Sequence, residues 1–233
     1  MAVVHRRATV AELHALDPFA PQRLGGTSVD PTVWWCDPVD AAIVLGSRQP
    51  DELVDPAAVE RAGLSVVRRR SGGGAVFVHP DVVWVDLVVP AAAAPALVAD
   101  VRRSMIWAGD RWRAALVDLG VPSGRLSVHT GGLVEAAWSP YVCFAGFGPG
   151  EVLLDGRKLV GLSQRRTRHG VRIQGQVHRA GSLAPIVALL AAPVPVEPLD
   201  DAAEWPALGA RDLAEVLARS VTRSLADAGR SDD

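Results

Sequence analysis

Three segments carry the residue types from which chemistry could be built. The first, RRRSGGGAVFVHP at residues 68–80, runs three arginines into a serine and three glycines ahead of an apolar stretch. Consecutive glycines let backbone N–H groups turn toward an anion, because no Cβ blocks close approach or positive φ. Arg68 and Arg69 precede the loop on a predicted strand, where alternation sends neighbours to opposite faces. At least one can therefore reach the loop's site and hold a carboxylate or phosphate through its planar fork. The spacing is neither a P-loop, which needs GKS/T, nor a GxGxxG dinucleotide fingerprint. On its own the segment reads equally well as a hairpin turn with solvated arginines.

The second segment, DGRKLVGLSQRRTRHG at residues 155–170, places Lys158 on a predicted strand with Gly161 three residues on. A glycine inside a strand marks close approach by a ligand or another backbone, and a lysine beside such a site can stabilise developing negative charge. A solvated strand lysine is the plainer reading. The third, SPYVCFAGFGPGE at residues 139–151, sets Cys143 in an apolar run, where a cysteine is commonly buried and inert; a nucleophile needs a lowered pKa or a nearby base. Glycine-rich backbone separates it from Lys158.

The elements that must position these residues follow from periodicity and breakers. Thr9 with Glu12 three residues later forms a capping box for a short helix ending near Asp17 and Pro18. A Gly/Ser/Pro-rich loop is expected from Pro21 to Pro31. TVWW and AAIVLG read as strands broken by CDPVD. Asp55 caps a helix with Pro56 at its first position and Gly63 closing it. LSVVRR, AVFV and VVWVDLVV complete a β-rich block around the glycine loop. From Ala96 to Gly120, Leu97, Val101, Met105, Ala108, Trp112, Leu116 and Leu119 recur at helical spacing and predict one long helix with this stripe in the core. Strands are expected near Leu126–His129, Tyr141–Ala145 and Glu151–Leu154. Asp155-Gly156 is a hairpin turn, RKLVGLSQ the returning strand, RRTRHG a connection and VRIQGQV a further strand. A last helix spans Ala210 to Ala228, before a frayed GRSDD tail. The tryptophans, including Trp34, Trp35 and Trp112, read as core or strand-face residues. The fold class is α+β: a mixed or antiparallel sheet with packed helices, one domain over residues 1–233.

Bulk properties narrow the function classes. The chain has 233 residues and a formal net charge of -2, which gives no global attraction to nucleic acid or to an anionic membrane. Two distant cysteines and no CxxC spacing argue against a zinc site or a disulfide framework, and no metal ligands are assigned. The basic N-terminus lacks the apolar run of a secretory signal. The segment LAPIVALLAAPVPV is too short and too proline-rich to cross a bilayer, so a cytoplasmic protein is expected.

Taken together, RRRSGGGAVF, GRKLVGLSQRR and, upstream, AAIVLGSRQP resemble the lipoate–protein ligase A family, whose fold is shared with biotin protein ligases and octanoyl transferases. The similarity spans roughly residues 30–180, with the motifs in the family's order. The resemblance implies an enzyme that attaches a lipoyl or octanoyl group to a lysine of a lipoyl carrier domain through an acyl-adenylate. Lys158 matches the family's essential lysine. Arg68, Arg69, Ser71, Gly72, Gly73 and Gly74 match the loop lining the acyl pocket, Gly161 and Gln164 the rest of the lysine motif, and His79 the histidine that follows the loop. Implied partners are lipoyl domains of 2-oxoacid dehydrogenases or the glycine cleavage H protein, with ATP and Mg as cofactors of a ligase.

Departures from the pattern point to an alternative. The asparagine-aspartate pair that ligases carry near the nucleotide is missing; the region reads YVCFAGFGPGEVLL. Cys143 and Phe144 match the cysteine-phenylalanine pair of cysteine-type octanoyl transferases. Those need no ATP and carry the acyl group as a thioester taken from acyl carrier protein. Against this, the triple glycine is more ligase-like. The chain is too short for the longest ligases' extra C-terminal domain. RIQGQVH keeps only Gln174 of the family's glutamine-histidine-glycine, and His79-Pro80-Asp81 has an inserted residue. A third reading is a non-catalytic relative that binds lipoate or a lipoyl domain. The arginines 165, 166, 168 and 172 form a predicted basic cluster that reads equally well as a steering surface for an acidic partner and as a solvated hairpin loop.

Overall fold

The computed structural model describes residues 1–20, 30–178, 183–191, 193–200, 202–205 and 208–228. Most of the loop expected at residues 21–31, and the whole 229–233 tail, lie outside these.

Among the described residues ten strands form two mixed sheets. The larger orders β1 (Ala2–Ala8), β2 (Thr32–Pro38), β6 (Val83–Pro90), β10 (Gly170–Val177), β9 (Arg157–Thr167), β8 (Val152–Leu154) and β7 (Leu126–Val128). In it β1 and β2 are parallel and the other neighbours antiparallel. The smaller sheet orders β4 (Ser65–Arg68), β3 (Ala42–Leu45) and β5 (Val76–Val78), with β3 parallel to β4 and antiparallel to β5. Helices α4 (Val101–Asp118) and α6 (Ala210–Ala228) cover one face of the large sheet. The small sheet and α1 (Val10–Ala15) cover the other. Helices α2 (Pro56–Arg61) and α5 (Ala184–Leu189) pack outside the small sheet. The α+β class therefore holds.

Alternation in β6 shows how one strand serves two cores. Val83, Val85, Leu87 and Val89 face the helix layer, while Trp84 and Val88 face the inter-sheet core. A strand buried on both faces reads as a continuous apolar run, and its one charge, Asp86, needs a buried answer. Arg172 of β10 supplies it: its Nε donates to Asp86 Oδ2 at 2.8 Å and its remaining nitrogens to the Leu16 and Leu13 carbonyls at 2.7 and 3.0 Å. One guanidinium thus pins the end of α1 to the sheet. Burial pushes the Asp86 carboxyl above its ordinary value, against the pull of Arg172, Trp84 and Cys36.

The capping box is formed: Glu12 N donates to Thr9 Oγ1 at 3.2 Å and Thr9 N to the Glu12 carboxylate at 3.0 Å. Asp55 caps α2, Pro56 opens it, and the turn at Gly63 (φ +66) ends it. Asp155 (φ 50) and Gly156 (φ 80) make the β8–β9 turn. Several expectations are corrected. The long helix is two: α3 (Pro95–Ala99) ends at Asp100, which is extended and whose carboxylate accepts from Arg103 N to start α4. Val101 of the expected core stripe is 58% exposed. Strand β2 runs through Cys36, Asp37 and Pro38, and β1, not expected, pairs beside it. The Tyr141–Ala145 segment is a tight turn with one parallel bridge, Ala75–Val142, instead of a strand. The RRTRHG connection is mostly strand, because β9 continues to Thr167. The basic cluster disperses: Arg172 is buried on Asp86, Arg165 pairs with Asp17 at 3.0 Å, and Arg166 bonds the Val98 carbonyl.

Candidate active site

The glycine loop and the Cys143 turn meet where the small sheet ends. Ala75 N donates to Tyr141 O at 2.7 Å and Cys143 N to Ala75 O at 2.9 Å, a two-bond clasp. A Cβ on Gly74 would lie 2.6 Å from the Val142 carbonyl carbon and 2.7 Å from Cys143 N. Only glycine permits that approach. Gln49 tightens the same junction, accepting from Gly46 N at 2.9 Å and donating to Pro140 O at 2.7 Å.

Of the two expected arginines, alternation sends only Arg69 inward. It is 4% exposed. Its Nη2 donates to the Gly72 and Gly74 carbonyls, both at 2.8 Å, and lies 3.7 Å from Cys143 Sγ. Arg68 instead donates to the Gly46 and Gln49 carbonyls at 2.8 and 2.6 Å and pairs with Asp51, holding the neighbouring turn.

Lys158 enters from β9, and a register irregularity opposite Val152 and Leu153 re-aims it. Residues three apart on a regular strand face opposite ways; a bulge changes that. Here Lys158 Nζ lies 4.9 Å from the Phe144 ring, and a Cβ on Gly161 would stand 2.7 Å from the same ring. The ammonium is 3% exposed and donates to Cys143 O, Gly146 O and Glu151 Oε1, each at 2.8 Å. Those three contacts use all three ammonium protons. Glu151 also accepts from Leu162 N at 3.0 Å and Gly148 N at 2.8 Å. It ties loop, strand and lysine together. No sequence signal marks Glu151: an acid after Gly-Pro-Gly at the start of a strand ordinarily reads as solvated.

These groups line an open cavity of about 600 Å³, walled by Gly72–Gly74, Cys143, Lys158, Ser163 and Gln164 with Arg48 and Arg102 among its other lining residues. A narrow apolar slot of about 30 Å³ adjoins it, sharing Cys143, Leu162 and Ser163 and lined by Val44, Val76, Val78 and Phe144. Ser71 Oγ donates to Ser163 Oγ at 3.1 Å. Gln164 joins β9 to the start of α4 through Val101 O at 3.0 Å. The structure thus brings Lys158, Cys143, Arg69, Ser71, Gly72–Gly74, Gly161 and Gln164 together. Arg68 and His79 line neither space; His79 stacks on Phe77 with ring centroids 5.2 Å apart. Among the described residues no cluster of His, Cys, Asp and Glu fits a metal ion.

The chain matches the Lipoyl protein ligase A/B catalytic domain over residues 11–224. It is 35% identical over 127 residues to Octanoyltransferase LipM of Moorella thermoacetica, covering 54% of this chain and 45% of that protein. It is 30% identical over 176 residues to the Octanoyltransferase LipM of an Exiguobacterium species, covering 74% and 61%. The chain thus spans about half the length of the curated relatives it matches. A crystal structure of lipoate-protein ligase A bound with ATP shares the fold, with TM-score 0.62 and 16% identity over 84% of this chain and 73% of that one. The chain belongs to the lipoyl protein ligase A/B catalytic-domain family.

Proposed function

We propose that this protein transfers an octanoyl or lipoyl group to a lipoyl-domain lysine through a thioester on Cys143, without ATP. The observation that carries the reading is the position of Cys143, on the wall shared by the open cavity and the apolar slot, with the Arg69 guanidinium 3.7 Å from its sulfur. The similarity to proteins named octanoyltransferase favours this route over the acyl-adenylate one.

In the first step Sγ attacks the acyl carbonyl of a carrier thioester. The carrier thiol leaves with the proton, and the acyl group stays as a thioester on Cys143. In the second, the lipoyl-domain amine attacks that carbonyl, an amide forms, and the Cys143 thiol is released. Arg69 places positive charge beside the sulfur. Gly72 and Gly73 leave room for the donor in the open cavity, and the slot takes the alkyl chain. Lys158, clamped by Glu151 and two carbonyls of the turn, fixes Cys143 and sets a buried positive charge where the oxyanion develops. Candidate acceptors are lipoyl domains of 2-oxoacid dehydrogenases or the glycine cleavage H protein, with acyl carrier protein as donor.

The test offers an apo lipoyl domain with either octanoyl carrier protein or octanoate plus Mg-ATP and follows its mass. Modification from the carrier thioester alone, with an octanoyl adduct on the enzyme that vanishes in Cys143→Ala, is expected. Modification that requires ATP and survives Cys143→Ala replaces this route with the adenylate one.

A further inference from the structure

The strand β10 carries a pattern that alkyl-chain binding does not require. All eight of its residues are buried, yet every second one from Arg172 to Gln176 is polar. Val171, Ile173 and Val177 join the helix-layer core, while Arg172, Gln174 and Gln176 face the inter-sheet layer. Arg172 is answered by Asp86. Gln174 and Gln176 instead line the acyl slot, together with His14 from α1. The Nε2 of Gln174 and both ring nitrogens of His14 are buried without a hydrogen-bond partner. A native interior leaves few such groups, and those it leaves call for a ligand or another role. The imidazole is neutral: burial, with the charges of Arg172 and Arg69, lowers its pKa to about 3. It therefore offers one N–H and one lone pair, and Gln174 adds N–H donors.

We infer that the slot ends in a polar subsite, formed by His14 and Gln174, that recognises a medium-length acyl chain carrying a hydrogen-bond acceptor at its distal end. This rests on the acyl-binding reading of the slot above but not on the thioester route. A plain alkyl end inserted here leaves an imidazole and a carboxamide buried against a methyl group. A site built with polar groups discriminates strongly against the analogue that lacks their partner. A distal oxygen or sulfur satisfies them. An oxygen is the stronger acceptor, so an ω-hydroxyl chain is the sharper probe.

Calorimetry with octanoate and 8-hydroxyoctanoate reads the subsite directly, since free acids bind without transfer. The unaltered protein is expected to bind the hydroxy acid at least about tenfold more tightly. Gln174→Leu and His14→Leu should each erase or reverse that preference; should one fold poorly, the other carries the test. Equal or tighter binding of octanoate, no binding of either acid, or a preference unchanged in the folded variants overturns the inference. Loss of transfer with the preference intact would count against the proposed reaction alone. Lipoate, run alongside, tells whether dithiolane sulfur serves as the distal acceptor.

Discussion

Lys158 looked from its motif like a free cation waiting for a substrate, but its ammonium already spends its protons on two turn carbonyls and Glu151. Its first effect is to hold the Cys143 turn. That makes Glu151, silent in the sequence, as consequential as the lysine. Removing one partner of a buried pair leaves the other charged and unanswered, at a cost of about 3–5 kcal/mol. Glu151→Ala should therefore lose stability of that order in urea unfolding and transfer activity with it. Glu151→Gln, which keeps one acceptor oxygen for Leu162 N and Lys158 Nζ and loses the one that accepts from Gly148 N, should lose clearly less stability. Equal losses in both variants would mean that the carboxylate charge on Lys158, and not the remaining acceptor oxygen, carries the whole effect. Cys36 makes the contrast with Cys143: burial, then the neighbouring Asp86 charge, push its thiol pKa well up, so it behaves as an inert core residue.

At the scale of elements, the glycine loop and the Cys143 turn act as one device. Gly74 is not in the left-handed region, so alanine there meets no backbone penalty. Its Cβ would instead press on Val142 and Cys143 N. Gly74→Ala should push the turn off the loop and lower transfer by about 100-fold, while thermal stability falls by only about 1–3 kcal/mol; near-normal activity in the folded variant would show that the clasp does not matter. The loop, the lysine strand and their order were legible because glycine runs and Gly-x-Lys are local signals. What was not legible is non-local. Which of Arg68 and Arg69 points inward depends on the strand's pairing register. The break at Asp100 hid inside a continuous helical stripe. The burial of the polar residues of β10 depends on the small sheet, which comes from a distant part of the chain, and no local signal announces it.

At the scale of the whole molecule, the inter-sheet layer sets how the protein responds to acid. His14 and His178 are both held near a pKa of about 3. Burial dominates each, helped by Arg172 and Arg69 at His14 and by His79 and Lys158 at His178. In the unfolded chain both take a proton near pH 6.5. Between those values the unfolded state binds more protons than the folded one, so stability is fully present above about pH 6.5 and falls as pH drops toward 3. Each such histidine contributes up to about 1.4 kcal/mol per pH unit in that window. Asp86, raised by burial, works in the opposite sense, so the slope is assigned by substitution. Urea unfolding at pH 7, 5.5 and 4.5 should show a steep loss in the unaltered protein and a visibly shallower one in His178→Phe, where the new ring can keep the packing against Phe144. An equal slope in the two proteins would place the acid sensitivity elsewhere than in this buried imidazole.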